Sequence, residues 1–259
     1  MDGDVFESEF LAERYGPFAA DAATPDLRLE IEPTPGFYNA EVADGRLVDS
    51  PHVLRDGVWT VHRIDYQGAF VGAGHLRART DGTVGALNGL LRHLLVVALL
   101  DRGGLLLHAA AFKTAGRVVT IAGPSGAGKT TACRHSPAWT TVLGDEQIAI
   151  RPHGSEIWAW GTPIVGELAR PGLPDGGPLY AIHFIEHADE NRCAPLQTHD
   201  GLRRLLRATV FYPRDRAINA RAIDVCASIA SRVAAFRLEA RGDGSFWPLL
   251  QPGPQQAAG

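Results

Sequence analysis

Residues 84–100, VGALNGLLRHLLVVALL, place apolar side chains on nearly every helical face, a pattern that predicts a helix buried on all sides. Arg102-Gly103-Gly104 ends it. Two β-like runs follow, 105–112 and 117–122, with a turn at 113–116 too short for anything but an antiparallel hairpin. The sheet that holds this hairpin is therefore expected to be mixed. Past residue 129 a helix of only a few turns is expected, because Ser136-Pro137 should break it. Further strands are expected at 140–143, 148–151, 157–160, 179–185 and 236–239, with the pair 148–151 and 157–160 forming a second hairpin. Residues 171–178 read as a Gly/Pro-rich loop, and 200–208 and 217–233 as helices.

Residues 1–83 differ in texture, with short strand candidates at 27–31, 59–64 and 69–71 between Pro, Gly and Asp turns. They carry no chemical motif. The pattern thus divides the chain into a β-rich region at 1–83, an α/β domain at 84–251 and a tail at 252–259 that reads as disordered.

Composition narrows the class. With 259 residues, 45% of them hydrophobic and 21% charged, the chain has enough apolar surface for one large core and a small second module. A net charge of -4 argues against sequence-independent nucleic-acid binding, which rests on a basic surface. The acidic start MDGDVFESEF lacks the features of a signal peptide. The apolar run 94–100 stops at Asp101, far short of the roughly 20 residues a bilayer requires, so no membrane span is expected. Cys133, Cys193 and Cys226 stand alone, without metal or disulfide spacing, and Cys133 is expected to be a small buried apolar residue. A reducing cytoplasm is the expected compartment.

The chemistry is concentrated in residues 117–131, RVVTIAGPSGAGKTT, where a strand-like run enters a glycine loop that opens a helix. Gly123, then four residues, then Gly128-Lys129-Thr130 is the spacing of a phosphate loop. Glycines such as Gly126 and Gly128 let successive N–H groups turn inward and touch phosphate oxygens, with Ser125 and Ala127 completing the cradle. The helix start at Lys129, Thr130 and Thr131 adds unsatisfied N–H groups beneath the anion. Lys129 is expected to reach the β- and γ-phosphates of ATP, and Thr130 to ligate Mg²⁺. Of 25 basic residues only Lys113 and Lys129 are lysine, so a compact ammonium is kept where a point charge on phosphate is wanted.

Phosphoryl transfer also needs a metal-holding carboxylate and a proton acceptor. Asp145 and Glu146, just after an apolar strand, are the candidates, with Glu186 a rival Mg²⁺ carboxylate. His108, if its strand pairs with the one feeding the loop, comes within reach of the γ-phosphate. A histidine in an apolar strand is more often a core residue. His183 and His187 stand four apart, a weaker metal spacing in a strand than in a helix. Arg203 and Arg207 share a helical face and, with Arg204, form either a solvated surface or a contact for an acidic substrate.

The order LLLHAAAF, a short turn, VVTIAGPSGAGKTT, VLGDE and WGTP resembles the catalytic domain of the HPr serine kinase/phosphorylase family. The nearest resemblance is to its short relatives found beside peptide-modifying enzymes. It extends over roughly residues 90–250, including the closing FRLEARGDGSFWPLL. The resemblance implies an α/β fold of the P-loop nucleoside triphosphate hydrolase type with a mixed sheet, related to phosphoenolpyruvate carboxykinase. It implies transfer of the γ-phosphoryl of ATP to a serine hydroxyl. By it, Lys129 and Thr130 match nucleotide and Mg²⁺ ligands, and His108 matches an active-site histidine. Asp145 matches the candidate catalytic base, Glu146 the second residue of the acidic pair, and Gly161-Thr162-Pro163 a turn near the substrate. Both acids are candidate metal ligands beside Thr130. The second acid is Glu where the family carries Asp, which leaves the roles of the pair open. No segment matches the one serving phosphorolysis, so only the forward reaction is expected. Residues 1–83 do not resemble the family's regulatory domain, so HPr itself is not the expected acceptor. The acceptor is expected to be a peptide or protein, and family members often assemble as homo-oligomers. A small-metabolite kinase and a non-transferring ATP-binding regulator are the alternative readings.

Overall fold

The computed structural model describes residues 8–19, 27–46, 52–55, 58–72, 74–211 and 216–250. It is a mixed α/β structure of two compact units, one comprising Met1–Gly103 with Val210–Ile223, the other Gly104–Thr209 with Asp224–Gly259. The expected tail at 252–259 and the start of the chain lie outside the described residues.

The first unit opens with α1 (Ser8–Tyr15), β1 (Arg28–Pro33), α2 (Ala40–Ala43) and β2 (His52–Arg55). It continues through β3 (Val58–Arg63), β4 (Tyr66–Gly72), β5 (His75–Thr80) and α3 (Val84–Asp101). The strands form one sheet in the order β1-β5-β4-β3-β2, parallel between β1 and β5 and antiparallel elsewhere. Alternation along β5 buries Leu76, Ala78 and Thr80 and exposes Arg77 and Arg79, so one face meets Ala86, Leu90 and Leu94 of α3. The Tyr66 hydroxyl and His93 Nε2 hydrogen-bond at 2.8 Å within this core. Thr83 caps α3, its hydroxyl accepting the Ala86 N–H at 3.2 Å.

Among the described residues α3 is the one helix long and apolar enough to cross a membrane by length and composition. Ten of its residues, Ala86 through Leu100, are buried, which accounts for its apolar character as that of a core helix. It belongs with the first unit, whereas the pattern-based boundary at 83/84 placed it with the second.

The second unit carries β6 (Leu105–Thr114), β7 (Arg117–Ala122), α4 (Lys129–Arg134), β8 (Thr141–Gly144), β9 (Gln147–His153) and β10 (Glu156–Trp160). It continues with β11 (Gly176–His187), β12 (Arg192–Pro195) and α5 (Thr198–Ala208). After α6 (Arg216–Ala230), along which the division between the units falls, comes β13 (Ala234–Ala240). β6 and β7 form the expected hairpin, closed by Ala115 and Gly116, both at positive φ. That is the two-residue geometry whose twist matches the flanking strands. On its other edge β7 pairs with β11 in parallel, and β11 with β13 likewise, so the sheet is mixed as the short turn required. β6 also pairs with β8 and β9, and β10 joins β9 to the start of β11.

Strand β11 begins at Gly176, inside the stretch expected to be loop, because Gly176 and Gly177 have no side chains to hold them off β10. A Cβ on Gly176 would stand 2.3 Å from Trp160 Cδ1. Beneath α4, Phe112, Ile121, Cys133, Ile185, Phe246 and Trp247 form a common core, with Phe112 edge-on to Trp247 at 4.7 Å. The closing segment thus supports the loop that follows β7.

Candidate active site

The hairpin delivers the chain from β7 into the loop 123–128, and α4 starts at once behind it. Gly126 and Gly128 take φ of 78° and 110°, backbone angles that L side chains resist, so the tight turn depends on glycine at both positions. A Cβ on Gly126 would meet nothing within 4 Å, and the loop is open on that side. On the inner side Gly123 lies against Ile185 of β11.

Lys129 is buried, and its Nζ donates to the carbonyls of Gly123 at 2.9 Å and Pro124 at 3.0 Å. Burial lowers its pKa, while the carboxylates of Glu146 and Glu167 act to raise it. The Thr130 hydroxyl donates to Glu167 Oε2 at 2.8 Å. Thus both side chains that follow the loop are held by protein acceptors.

β8 ends at Gly144 and presents Asp145 and Glu146 at the same place. Asp145 is only 5% exposed, and its Oδ2 accepts the Leu168 N–H at 2.8 Å. Burial raises its pKa, with Leu168 and Arg170 acting against the rise and the charge of Glu146 adding to it. Glu146 Oε2 lies 3.5 Å from His108 Nε2 on β6. Segment 166–168 crosses the acidic pair closely: a Cβ on Gly166 would come within 2.6 Å of Glu146 Cβ and 2.8 Å of both Asp145 carboxylate oxygens.

The outcome is one cavity of about 340 Å³ lined by His108, Lys129, Thr130, Thr131, Asp145, Glu146 and Glu167 together with Ser125, Gly126 and Gly128. Gly123 and Ala127 line a neighbouring cavity instead. That second cavity also receives Glu186, which is bonded to Arg204, so the rival carboxylate stands apart from Lys129 and Thr130. Arg204 and Arg207 line it, while Arg203 does not. His183 is buried and stacks on Phe236 at 5.2 Å, and burial lowers its pKa to about 4. Cys133 is buried, its thiol pushed up to about 12 by burial first and Asp145 second.

Sequence reasoning missed Glu167 and the segment around it. GELAR has no periodicity, and the Glu167 to Thr130 contact joins positions 37 apart. A glycine followed by an acid downstream of the acidic pair was the one available cue.

Together these features define an α/β protein whose mixed sheet carries a glycine loop between a strand and a short helix, faced by a histidine and three carboxylates. The chain belongs to the ScmC family, described as SynChlorMet cassette protein ScmC, whose profile matches residues 86–251. No curated protein matches it. Among solved structures it is similar to the Hpr(Ser) kinase/phosphatase from Coxiella burnetii, at 11% identity and a TM-score of 0.26 over 49% of this chain and 90% of that one.

Proposed function

We propose that this protein is an ATP- and Mg²⁺-dependent kinase that transfers the γ-phosphoryl group to a serine or threonine hydroxyl of a peptide or protein. The observation that carries this reading is the convergence of Lys129, Thr130, Asp145, Glu146 and His108 on one cavity at the glycine loop. The loop amides and the start of α4 suit a phosphate chain, which bare N–H groups bind well. Lys129 donates to the loop carbonyl of Gly123 at 2.9 Å, so in this reading its ammonium stands against the loop that would hold the phosphates.

The donor set fits magnesium, since the Thr130 hydroxyl and the Glu146 carboxylate are hard oxygen ligands. Among the described residues no group of three or more His, Cys, Asp or Glu could hold a metal by itself. Magnesium is commonly held by one or two carboxylates together with the substrate's own phosphates. Once bound, it would neutralise charge on the transferring group. Asp145 is the proton acceptor in this reading: its raised pKa gives it more basicity than an exposed carboxylate, and Leu168 holds its orientation. The hydroxyl must then lie in line with the γ-phosphorus, within reach of that carboxylate.

Lys129→Ala tests the proposal. With γ-labelled ATP, Mg²⁺ and serine-bearing peptides, transfer should fall by about 10²–10³-fold, the size of effect expected for one preorganised charge. Full activity in the variant would overturn the assignment, as would calorimetry showing no uptake of ATP by the wild type.

A further inference from the structure

The second cavity, about 650 Å³, opens along the glycine loop from Gly123 to Ala127. It shares His108, Ser125 and Gly126 with the cavity just described, so the two meet at the mouth of the loop. Of these two cavities, only the first has Lys129, Thr130 and both residues of the acidic pair in its wall. A third and smaller cavity, about 200 Å³, lies by Leu168, Arg170 and Gly172 and reaches Asp145, but has none of the loop residues in its wall. An acceptor held in the second cavity would reach a phosphoryl group on Lys129 and Thr130 past His108, where the two cavities meet. The volume there fits a few residues of peptide or a small metabolite.

Its walls state the chemistry. Phe184 and Ile185 at the end of β11 and Ala208 at the end of α5 make it apolar, and Glu186, Arg204 and Arg207 provide the charge. Glu186 accepts from Arg204, and that pair cancels. Arg207, three residues on, is exposed and enters no ion pair among the described residues, so no described carboxylate neutralises its guanidinium. A planar guanidinium fork matches a carboxylate in two parallel hydrogen bonds.

Building on the kinase reading, we propose that this cavity is the acceptor subsite, that it selects a hydroxylated acceptor bearing a carboxylate close to the hydroxyl, and that Arg207 receives that carboxylate. The reaction is the one already described: the acceptor oxygen bonds to the γ-phosphorus, the bond from that phosphorus to the β–γ bridging oxygen breaks, ADP leaves, and the hydroxyl proton passes to the base. The carboxylate fixes where the hydroxyl stands. It comes either from an acidic neighbour in a peptide or from a free hydroxy acid.

Two matched pairs of probes separate these sources: acetyl-Ser-Glu-amide against acetyl-Ser-Gln-amide, and glycerate against glycerol. Phosphate transfer from Mg·ATP is measured with the wild type, Arg207→Ala and Arg207→Lys, and Mg·ATP affinity with each protein. In one pair the acidic member should be preferred by about tenfold or more in kcat/KM, the effect of a single charged hydrogen-bonded contact. Arg207→Ala should erase that preference through KM, Arg207→Lys should restore part of it, and Mg·ATP affinity should be retained throughout. Equal use of both members, a preference that survives Arg207→Ala, or no transfer to any acidic probe while Mg·ATP binds would overturn the proposal. So would an Arg207→Ala protein that loses Mg·ATP instead, which would make the cavity the nucleoside's. Failure of the wild type to bind Mg·ATP would overturn the kinase reading itself.

Discussion

Asp145 carries its charge in a place that disfavours it. The fold raises its pKa above the ordinary 3.8, so the ionised form costs stability. For a raised group the stabilisation is complete below the unfolded pKa and is lost as pH rises through the folded value. Asp145→Asn keeps an acceptor for the Leu168 N–H and removes the charge. The variant should melt at a higher temperature than the wild type near neutral pH, by calorimetry, with the gain vanishing below about pH 4, where the carboxyl is protonated in both states. Phosphoryl transfer should fall in the same protein, by about 10²–10⁴-fold if Asp145 is the proton acceptor. Much of this site was legible residue by residue, because the glycine spacing and an acidic pair after a strand are local signals. Glu167 was not, since a hydroxyl and a carboxylate 37 positions apart meet only through the fold.

Elements show the same division between local and distant causes. α4 stops at Arg134, just before Ser136-Pro137, and the β6–β7 hairpin closes over two residues, both readable from neighbouring positions. β5 is a short alternating run in a stretch rich in glycine, and its place between β1 and β4 is set by pairing with both rather than by its neighbours in sequence. β12 is a four-residue edge strand held by pairing with β13 rather than by its own propensity. The start of α3 is a local matter again: Thr83→Ala removes the acceptor for the Ala86 N–H and should lower stability by about 1 kcal/mol, read from the urea midpoint.

For the molecule as a whole, acid is the informative stress. His183, on the central strand β11, is held neutral by burial, its pKa lowered from 6.5 to about 4. A depressed pKa gives stability that is complete above the unfolded value and is lost as pH falls through the folded one. Global stability should thus decline between pH 6.5 and 4, by up to about 3 kcal/mol from this residue. Denaturant titrations of His183→Leu at several pH values should show a flatter decline over that window. The division of the chain into two units was harder to read, because the second is interrupted by residues 210–223 and no linker marks the change.

The ammonium of Lys129 and the hydroxyl of Thr130 both have acceptors inside the protein. A phosphate that takes the Lys129 ammonium must displace its two carbonyl acceptors, so that contact is an exchange and only the surplus over the internal bonds appears as affinity. The Thr130 hydroxyl keeps two lone pairs while it donates to Glu167, so a cation could meet it without such an exchange. In the kinase reading ATP would be held only as far as its phosphates outdo the Gly123 and Pro124 carbonyls for the Lys129 ammonium, so the loop's own oxygens would set a threshold that weakly charged ligands do not pass.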